Sequence, residues 1–382
     1  MLEKQLIHSL LKKWKRGGFS IVYWDGEKEE FGEEISSFEI IFHRQPHLSL
    51  RSKDPSLILG EAYMQGDLDI KGSMDDVLRT LALNTRPERK KSKPNFSSIK
   101  SEKNNIHQHY DLGNDFFSLW LDSTLSYSCA YFKTPEDSLE KAQLQKIDRV
   151  LQKLQLKKGE HLLDIGSGWG WLIIKAARQY GVEATGITLS EEQYLGTRKR
   201  IKELGLEGQV HVRLQHYQEL EAEKQTYDKI SSIGMIEHVG RHNLNAYMAK
   251  INELLKPQGL FLLHSITGMT EEEGNAWIKK YIFPGGCIPS LRELCYYTAE
   301  YDFHILHLES LRLHYALTLE HWYNNFIKQQ EKIKEKYGEK FVRMWSLYLS
   351  GCAASFRTSG LDIHQILCSK DINNRLPLVF NF

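Results

Sequence analysis

Three glycines at alternate positions form the segment of this sequence whose residue types most directly indicate chemistry. Gly166, Gly168 and Gly170 follow an apolar run that ends at Ile165, and apolar residues at helical spacing follow them. Glycine suits such a strand-to-helix turn because it adopts positive φ angles at little cost and has no Cβ to keep a ligand away from the backbone. The segment therefore predicts a loop that binds a nucleotide-like cofactor.

The spacing of these glycines argues against a nicotinamide dinucleotide. A dinucleotide loop usually has the spacing G-x-G-x-x-G, and an acidic residue at the end of the next strand binds the ribose. Here the next predicted strand ends in the run from Gly186 to Ser190, which contains no carboxylate. We therefore expect a different cofactor.

Strands and helices alternate around the glycine turn and predict the framework that positions it. Such alternation is typical of an α/β fold in which helices cover both faces of a parallel sheet. Apolar runs predict strands at 161–165, 182–187, 210–214, 227–233 and 260–265, with helices at 171–180, 191–204 and 244–255.

The chain is long for a single core, so we expect a main domain with an appendage. Residues 1–83 alternate short apolar runs with charged turns and predict a small N-terminal α+β accessory domain. Residues 84–105 are rich in lysine and arginine and predict a basic linker, either a solvated tether or a contact for anionic lipid headgroups. Residues 106–382 form the predicted main domain, in which residues 268–301 predict an insertion that covers a substrate.

Composition excludes several classes of protein. The net charge of +1 provides no global field that would attract nucleic acid. No uncharged apolar stretch is long enough to span a bilayer, and the N-terminus has no signal-peptide core, so we expect a cytoplasmic protein. The five cysteines show no C-x-x-C pairing, and no further ligands lie near His107 and His109, so we expect no metal site.

Longer blocks of the sequence resemble one known family. Asp164 and the glycine turn resemble the first motif of class I methyltransferases, which use S-adenosylmethionine. The blocks 109–117, 127–132, 234–240, 261–266, 280–290 and 351–357 resemble, in the same order, the cyclopropane fatty acid synthase family. The block 60–66 resembles members with an additional N-terminal domain that act on membrane phospholipids. The resemblance implies a Rossmann-like mixed sheet, mostly parallel, with helices on both faces.

The resemblance also implies which residues bind S-adenosylmethionine, the methyl donor. This chain has Ser167 and His216 where the family often has cysteine and aspartate. Gln193 has a structural alternative, since Ser190 and Gln193 match the S-x-x-Q pattern of a helix capping box. The implied cofactor-binding residues are Tyr127, Ser128, Gly166, Ser167, Gly168, Thr188, Gln193, Tyr217 and Gln218.

The implied reaction methylates the cis double bond of an unsaturated phospholipid acyl chain and closes a cyclopropane ring there. An alkene is a weak nucleophile, so the donor must be a methyl group on a sulfonium, and the resulting carbocation must be kept away from water. Aromatic side chains can line such a cavity, although most aromatic residues in any protein belong to the core. The candidates are Trp120, Tyr131, Phe132, Trp277, Tyr281, Phe283 and Trp322.

The ring closes when a base removes a proton from the added methyl group, and a protein carboxylate placed there would be alkylated. The resemblance implies that the base is a bound bicarbonate ion. Chemically, His264 could relay the proton outward from this ion, and Tyr315 could donate a hydrogen bond to it. Taken alone, each of these residues also has a purely structural explanation. Cys129, for example, can serve as a small buried apolar residue. The implied catalytic residues are Cys129, Glu237, His264, Tyr315 and the backbone of Ile266.

Two other functions stay open at this stage. The same methyl transfer can end in a methyl-branched, methylene or hydroxylated chain, and a protein with this fold can also bind lipid without catalysis. The expected partner is an unsaturated phospholipid in the bilayer, with peripheral contact at the inner face of the membrane and no nucleic acid. The sequence leaves the oligomeric state open, a homodimer included.

Overall fold

The structure, a computed structural model, describes residues 2–46, 55–84, 113–271, 274–358 and 361–382. These residues divide into two compact units. Unit 1 comprises the residues up to 90 with 274–284 and 316–361, and unit 2 comprises 91–273, 285–315 and 362–382. Nearly all of the predicted linker lies outside the described residues, so the boundaries at 83 and 105 stay a prediction. Residues 274–284 and 316–361 group with the N-terminal residues.

The N-terminal part of unit 1 contains a mixed sheet and three helices. The sheet has the strand order β2-β1-β3-β4, in which β1 pairs parallel with β3 and the other pairs are antiparallel. The rings of Phe31 and Phe38 stack on Phe19 with centroids 5.4 Å and 5.0 Å away. The elements are α1 Leu2–Leu11, β1 Gly18–Val22, β2 Lys28–Gly32, β3 Phe38–Phe42, α2 Pro55–Gln65, β4 Leu68–Gly72 and α3 Met74–Asn84.

The first part of unit 2 alternates strands and helices as the apolar pattern predicts. Two short 3₁₀ turns, Tyr217–Glu219 and Ile236–His238, follow the ends of strands, and a third, Arg241–Asn243, directly precedes a helix. The elements are α4 Asn114–Phe117, α5 Leu139–Lys153, β5 His161–Ile165, α6 Trp171–Tyr180, β6 Glu183–Thr188, α7 Glu191–Glu203, β7 Val210–Leu214, β8 Tyr227–Ile233, α8 Leu244–Leu254 and β9 Leu255–Thr267.

The C-terminal elements contribute to both units. In unit 1, the Arg343 guanidinium donates to the Leu68 carbonyl at 2.8 Å and pairs with Asp69 at 2.6 Å. The elements are α9 Ala276–Tyr281, α10 Leu291–Glu300, β10 Phe303–Ser310, α11 Arg312–Lys328, α12 Gln330–Tyr337, α13 Glu339–Thr358 and β11 Asp362–Lys370.

The main sheet lies entirely in unit 2 and has the strand order β10-β11-β9-β8-β5-β6-β7. The strands from β9 to β7 run parallel, whereas β11 is antiparallel to both of its neighbours. The sheet is therefore mixed and mostly parallel, and the predicted class I methyltransferase fold is confirmed.

Helices cover both faces of this sheet because successive side chains of a strand point to opposite sides. In β9, Leu260 and Leu262 pack with the apolar residues of α5 and α6, whereas Phe261 and Leu263 pack with those of α8. The central strand β5 has β6 on one side and β8 on the other. In open α/β sheets, ligands bind beyond the carboxyl ends of the strands at such a switch in strand order.

Candidate active site

The glycine turn after β5 needs glycine at two positions for different reasons. Gly166 has a φ of 79°, and its amide and that of Ser167 donate to the Ile187 carbonyl of β6 at 3.0 Å and 2.9 Å. Gly170 also has a φ of 79°, and a Cβ there would lie 2.4 Å from Thr197 Cγ2. The turn is therefore held against β6 and α7, with its backbone open to a ligand.

A cavity opens at the carboxyl ends of the parallel strands. Its lining comes from the segments after β5, β6, β7 and β8, together with Tyr127 and Ser128. Gln218 is not among the residues that line the cavity within the described part of the chain. The predicted cofactor residues that do line it are Tyr127, Ser128, Gly166, Ser167, Gly168, Thr188, Gln193 and Tyr217.

Ser190 and Gln193 form only half of a capping box. The Ser190 hydroxyl accepts from the Gln193 amide at 3.3 Å and caps α7. The Gln193 side chain does not complete the box, because its Oε1 accepts from the Thr188 hydroxyl at 2.7 Å and the Ser190 amide donates to Thr188 Oγ1 instead. This contact holds the Gln193 side chain at the cavity wall and leaves its amide N–H groups for other partners.

His216 takes a structural role that an aspartate side chain can also fill. Its Nδ1 accepts from the Gln218 amide at 3.3 Å, and its own amide donates to Glu219 Oε2 at 3.1 Å. These two contacts cap the 3₁₀ turn that carries Tyr217. The change at position 216 therefore preserves the turn, although the imidazole offers different hydrogen-bonding groups from a carboxylate.

A buried lysine, which the sequence analysis missed, lines the same cavity. Lys146 on α5 is 3% exposed, and its ammonium donates to Ser128 Oγ at 2.7 Å. Burial lowers the pKa of Lys146 to about 8, while the nearby Cys129, Asp122 and Asp164 act to raise it. Ala142, Lys146 and Val150 share one helix face, and this position on an apolar face is the signal that could have identified it.

Asp164, in the first motif, is buried at the end of β5. Its Oδ1 accepts from the Ser231 hydroxyl at 2.7 Å. Burial raises the pKa of Asp164 to about 6, although the Ser231 hydrogen bond and the charge of Lys146 act to lower it. The cavity therefore contains both a buried cation and a buried carboxyl group, which suits a ligand that carries charges of both signs.

Glu237, His264 and Ile266 form a second polar group beside the sheet. Glu237 lies in the turn after β8, and its Oε1 accepts from the Ile266 amide of β9 at 2.7 Å. Within the described ranges, Glu237 Oε2 and His264 Nε2 are buried without a hydrogen-bond partner. Buried polar atoms are nearly always hydrogen-bonded, so two such atoms indicate a place for a polar ligand.

Burial controls the ionisation of these two side chains. It raises the pKa of Glu237 to about 7, although the hydrogen bond from the Ile266 amide acts to lower it. Burial also holds the pKa of His264 well below its usual range, and the positive charges of Lys146 and Lys153, with His364, act in the same direction. At neutral pH, His264 is therefore uncharged.

Cys129 lies beside the start of α11, the helix that carries Tyr315. The fully buried Cys129 thiol donates to the Ala130 carbonyl at 3.2 Å and approaches the Leu311 carbonyl at 3.9 Å. The Tyr315 amide donates to the same Leu311 carbonyl at 3.0 Å. The Leu311 amide in turn donates to Ile363 of β11, which pairs with Ile266, so the two groups are linked through β11.

The aromatic candidates are distributed over both units. Within unit 2, Trp120 is completely buried and contacts the ring of Tyr127, with the two centroids 5.4 Å apart. Within unit 1, the Trp277 indole is 4% exposed and packs against Gly60, and its Nε1 lies 3.2 Å from Met64 Sδ. Trp120 therefore packs against a residue that lines the cavity, whereas Trp277 contributes to the packing of unit 1.

Neither a metal centre nor a membrane span is found in the ranges that the structure describes. No group of three or more His, Cys, Asp or Glu side chains is placed to hold a metal ion there. No helix in these ranges has the length and apolar character needed to cross a bilayer.

Comparison with known proteins places the chain among enzymes of lipid methylation. A "Probable fatty acid methyltransferase" of Pseudomonas putida is 37% identical over 91% of this chain and 90% of its own length. A "Cyclopropane-fatty-acyl-phospholipid synthase" of Escherichia coli (strain K12) is 38% identical over 85% of this chain and 86% of its own length. The crystal structure of mycolic acid cyclopropane synthase CmaA1, complexed with SAH and CTAB, superposes with a TM-score of 0.66. The two sequences are 34% identical, and the superposition covers 70% of this chain and 98% of the CmaA1 chain.

Two families match the chain. One, described as a domain of unknown function, matches residues 6–93. The other matches residues 97–366, well over half of the chain, and agrees with the resemblance found in the sequence. The chain belongs to the family described as mycolic acid cyclopropane synthetase.

Proposed function

We propose that this protein is a cyclopropane-fatty-acyl-phospholipid synthase. In this role it methylates the cis double bond of an unsaturated phospholipid acyl chain and closes a cyclopropane ring with the help of bicarbonate. One observation carries the proposal. A cofactor cavity with a glycine turn lies in the same unit as two buried polar atoms, Glu237 Oε2 and His264 Nε2, that have no partner within the described residues.

S-adenosylmethionine, when bound, supplies a methyl group on a sulfonium whose leaving group is a neutral thioether. The lining of the cavity fits it, since the glycine turn allows close approach and the lining residues named above include hydrogen-bond donors and acceptors. The SAH complex of the related synthase supports this cofactor. Gln218, which follows Tyr217, contributes its backbone amide to the His216 cap.

Bicarbonate, when bound, supplies a base that the methyl donor does not consume by alkylation. Glu237, with its pKa near 7, can share a proton with this anion, while Ile266 fixes the other carboxyl oxygen. His264 provides a ring nitrogen, and Cys129 and Tyr315 complete the proposed set. The burial of Glu237, His264 and Cys129 keeps water from a carbocation that it would convert to an alcohol.

Access to phospholipid is proposed to involve the membrane surface. Residues 1–83 would act as a lipid-docking accessory domain, and the basic composition of residues 84–105 suits contact with anionic headgroups. The protein would then be cytoplasmic and peripherally associated with the inner face of the membrane. A homodimer is compatible with this arrangement.

The direct test combines the purified protein with isotope-labelled S-adenosylmethionine and liposomes of a mono-unsaturated phospholipid in bicarbonate buffer. We expect fatty acids that gain one methylene and lose the reactivity of the double bond, as mass spectrometry of the hydrolysed lipid would show. The Glu237→Gln variant serves as the matched control, because it keeps the shape of the side chain and removes its acid–base function.

Two results would contradict the proposal. Labelled fatty acids with a methyl branch, a methylene group or a hydroxyl group would identify the enzyme as a fatty acyl C-methyltransferase of another product class. Binding to the liposomes with no methyl transfer, and with no binding of S-adenosylmethionine by calorimetry, would indicate a non-catalytic lipid-binding protein.

A further inference from the structure

We propose that Gln365 is a positioning residue that fixes the tautomer of His264, so that His264 donates a hydrogen bond to the anion and does not relay a proton. The inference rests on the proposed function for the identity of that anion. The position and hydrogen bonds of Gln365 do not depend on the identity of the anion. Every residue involved lies in unit 2.

Gln365 lies on β11 directly opposite His264 on β9. Its Nε2 is 3.3 Å from His264 Nδ1, and its Oε1 accepts from the Lys153 ammonium at 2.8 Å. The same ammonium donates to Glu309 Oε2 at 2.6 Å, and Arg149 Nε donates to this oxygen at 2.9 Å while its Nη2 donates to Oε1. A continuous chain of hydrogen bonds therefore runs from His264 to a lysine that is itself held by an ion pair.

The chemistry of the lysine determines which way the amide is oriented. An ammonium group has three donors and no acceptor, so only the oxygen of the Gln365 amide can face it. The amide nitrogen must then face His264, where it donates to Nδ1. A neutral imidazole that accepts at Nδ1 carries its proton on Nε2.

The surroundings of these side chains exclude the other protonation forms of His264. Lys153 and Gln365 are completely buried and His264 is 1% exposed, so water cannot replace one of the hydrogen bonds. Lys146, Lys153 and His364 are the charged or titratable groups that act on the imidazole, and all three oppose a positive charge there. Burial lowers the pKa of Lys153 to about 8, while its contact with Glu309 acts to raise it.

This tautomer defines what His264 can do in the site. Its Nε2–H, buried without a partner within the described residues, is a donor that suits an anion such as bicarbonate. A proton could be taken up only at Nδ1, and the hydrogen bond from Gln365 blocks this atom. His264 therefore holds and orients the anion, and the relay role that its residue type suggested is not available to it.

Two nearly isosteric variants of Gln365 test the inference. In Gln365→Glu, a carboxylate faces Nδ1 and accepts from it, so the proton should move from Nε2 to Nδ1 or the ring should become an imidazolium. In Gln365→Met, no amide remains, so both tautomers should be present. Nitrogen-15 NMR of histidine-labelled protein reports the tautomer directly, and the His264→Asn variant assigns the signal.

The kinetic counterpart is the dependence of methyl transfer on added bicarbonate in a buffer depleted of carbon dioxide. For Gln365→Glu we expect the KM for bicarbonate to rise by about ten-fold or more, with little change in the affinity for S-adenosylmethionine. The matched control is Gln209→Glu, because Gln209 also donates through its amide to backbone carbonyls of unit 2 but lies in the turn before β7. This control should leave both the His264 spectrum and the bicarbonate KM unchanged.

Each arm has an outcome that overturns the inference. An Nδ1–H tautomer or an imidazolium in the wild-type protein at neutral pH would do so, and so would a Gln365→Glu spectrum identical to that of the wild type. If the wild type forms no cyclopropane lipid while His264 has the Nε2–H tautomer, the proposed function fails and the positioning role of Gln365 stands. If Gln365→Glu does not fold, the Gln365→Met spectrum decides.

Discussion

The carboxyl group of Glu237 links the stability of the protein to pH. Burial raises its pKa from 4.5 to about 7 in the folded protein. Between these values the folded state retains a proton that the unfolded state has lost, so the free energy of unfolding should fall as the pH rises from about 4.5 to about 7. The effect has an upper limit of about 3 kcal/mol, because each unit of pKa difference corresponds to about 1.4 kcal/mol.

Replacing Glu237 by glutamine should remove this pH dependence, because the amide stays neutral throughout. We expect the melting temperature of Glu237→Gln, relative to wild type, to increase between about pH 5 and pH 7.5 in bicarbonate-free buffer. Differential scanning calorimetry of both proteins measures it. The exposed Glu223 provides the control variant Glu223→Gln. If the difference in melting temperature between Glu237→Gln and wild type does not vary with pH, Glu237 does not link stability to pH.

Cys129 and Glu237 should differ in their importance for methyl transfer. A thiol is a weak hydrogen-bonding group, whereas a carboxyl is a strong one. We expect Cys129→Ala to lower kcat by about ten-fold or less and Glu237→Ala to lower it by about a hundred-fold or more. Initial rates with liposomes at saturating S-adenosylmethionine test the difference, and equal or reversed losses would contradict the assigned roles.

Among individual residues, those that belong to contiguous motifs were predicted from the sequence, whereas those defined by packing were missed. The run from Gly166 to Gly168 and the pair Tyr127 and Ser128 were predicted from local blocks, and the structure places them at the cavity. Gln365 was missed, because it acts on His264 across 101 positions of the chain and no local pattern marks it. Distant contacts of this kind require the strand register, which the sequence alone did not supply.

The turn between β5 and α6 depends on the conformation of Gly170. The Gly170→Ala variant would place a Cβ against Thr197 in a left-handed backbone conformation, which costs about 1–2 kcal/mol before any clash. We therefore expect a lower melting temperature and weaker binding of S-adenosylmethionine, measured by calorimetry. Gly208→Ala is the control, since no atom lies within 4 Å of a Cβ there. Equal effects of the two substitutions would contradict this explanation.

Element types were predicted well, whereas element ends depended on signals that can mislead. The apolar run predicted a strand only at 260–265, yet β9 spans Leu255–Thr267 and includes the segment from Lys256 to Gly259. Gln258 has a φ of 62°, and the pairing of β8 with β9 shifts register at this place. The strand thus continues through a shift in register, although the residues at this place lack the apolar pattern of a strand.

For the whole molecule, binding to membranes should depend on local basic charge because the net charge is only +1. We expect co-sedimentation with anionic liposomes at low salt, a loss of binding at high salt and little binding to zwitterionic liposomes. Replacing Lys90, Lys91 and Lys93 by glutamine should weaken binding. If the wild-type protein fails to co-sediment at low salt, the proposed membrane contact is wrong.

The architecture of the main sheet was predictable in part. Alternating strands and helices indicate a parallel sheet, and the family resemblance implies a mixed one, but neither predicted the position of β11 between β9 and β10. The grouping of 316–361 with the N-terminal residues was not predicted, since helical periodicity shows that a face is buried and not what covers it.

The placement of β11 between β9 and β10 has a consequence for the order in which the protein matures on the ribosome. Lys153 and Gln365 are 212 residues apart, and β9 and β10 have no strand between them until β11 has emerged. Because such long-range pairing is slow and leaves sheet edges open, the nascent chain should pass through an inactive, aggregation-prone stage. Chaperone engagement before the last strand is synthesised is therefore expected.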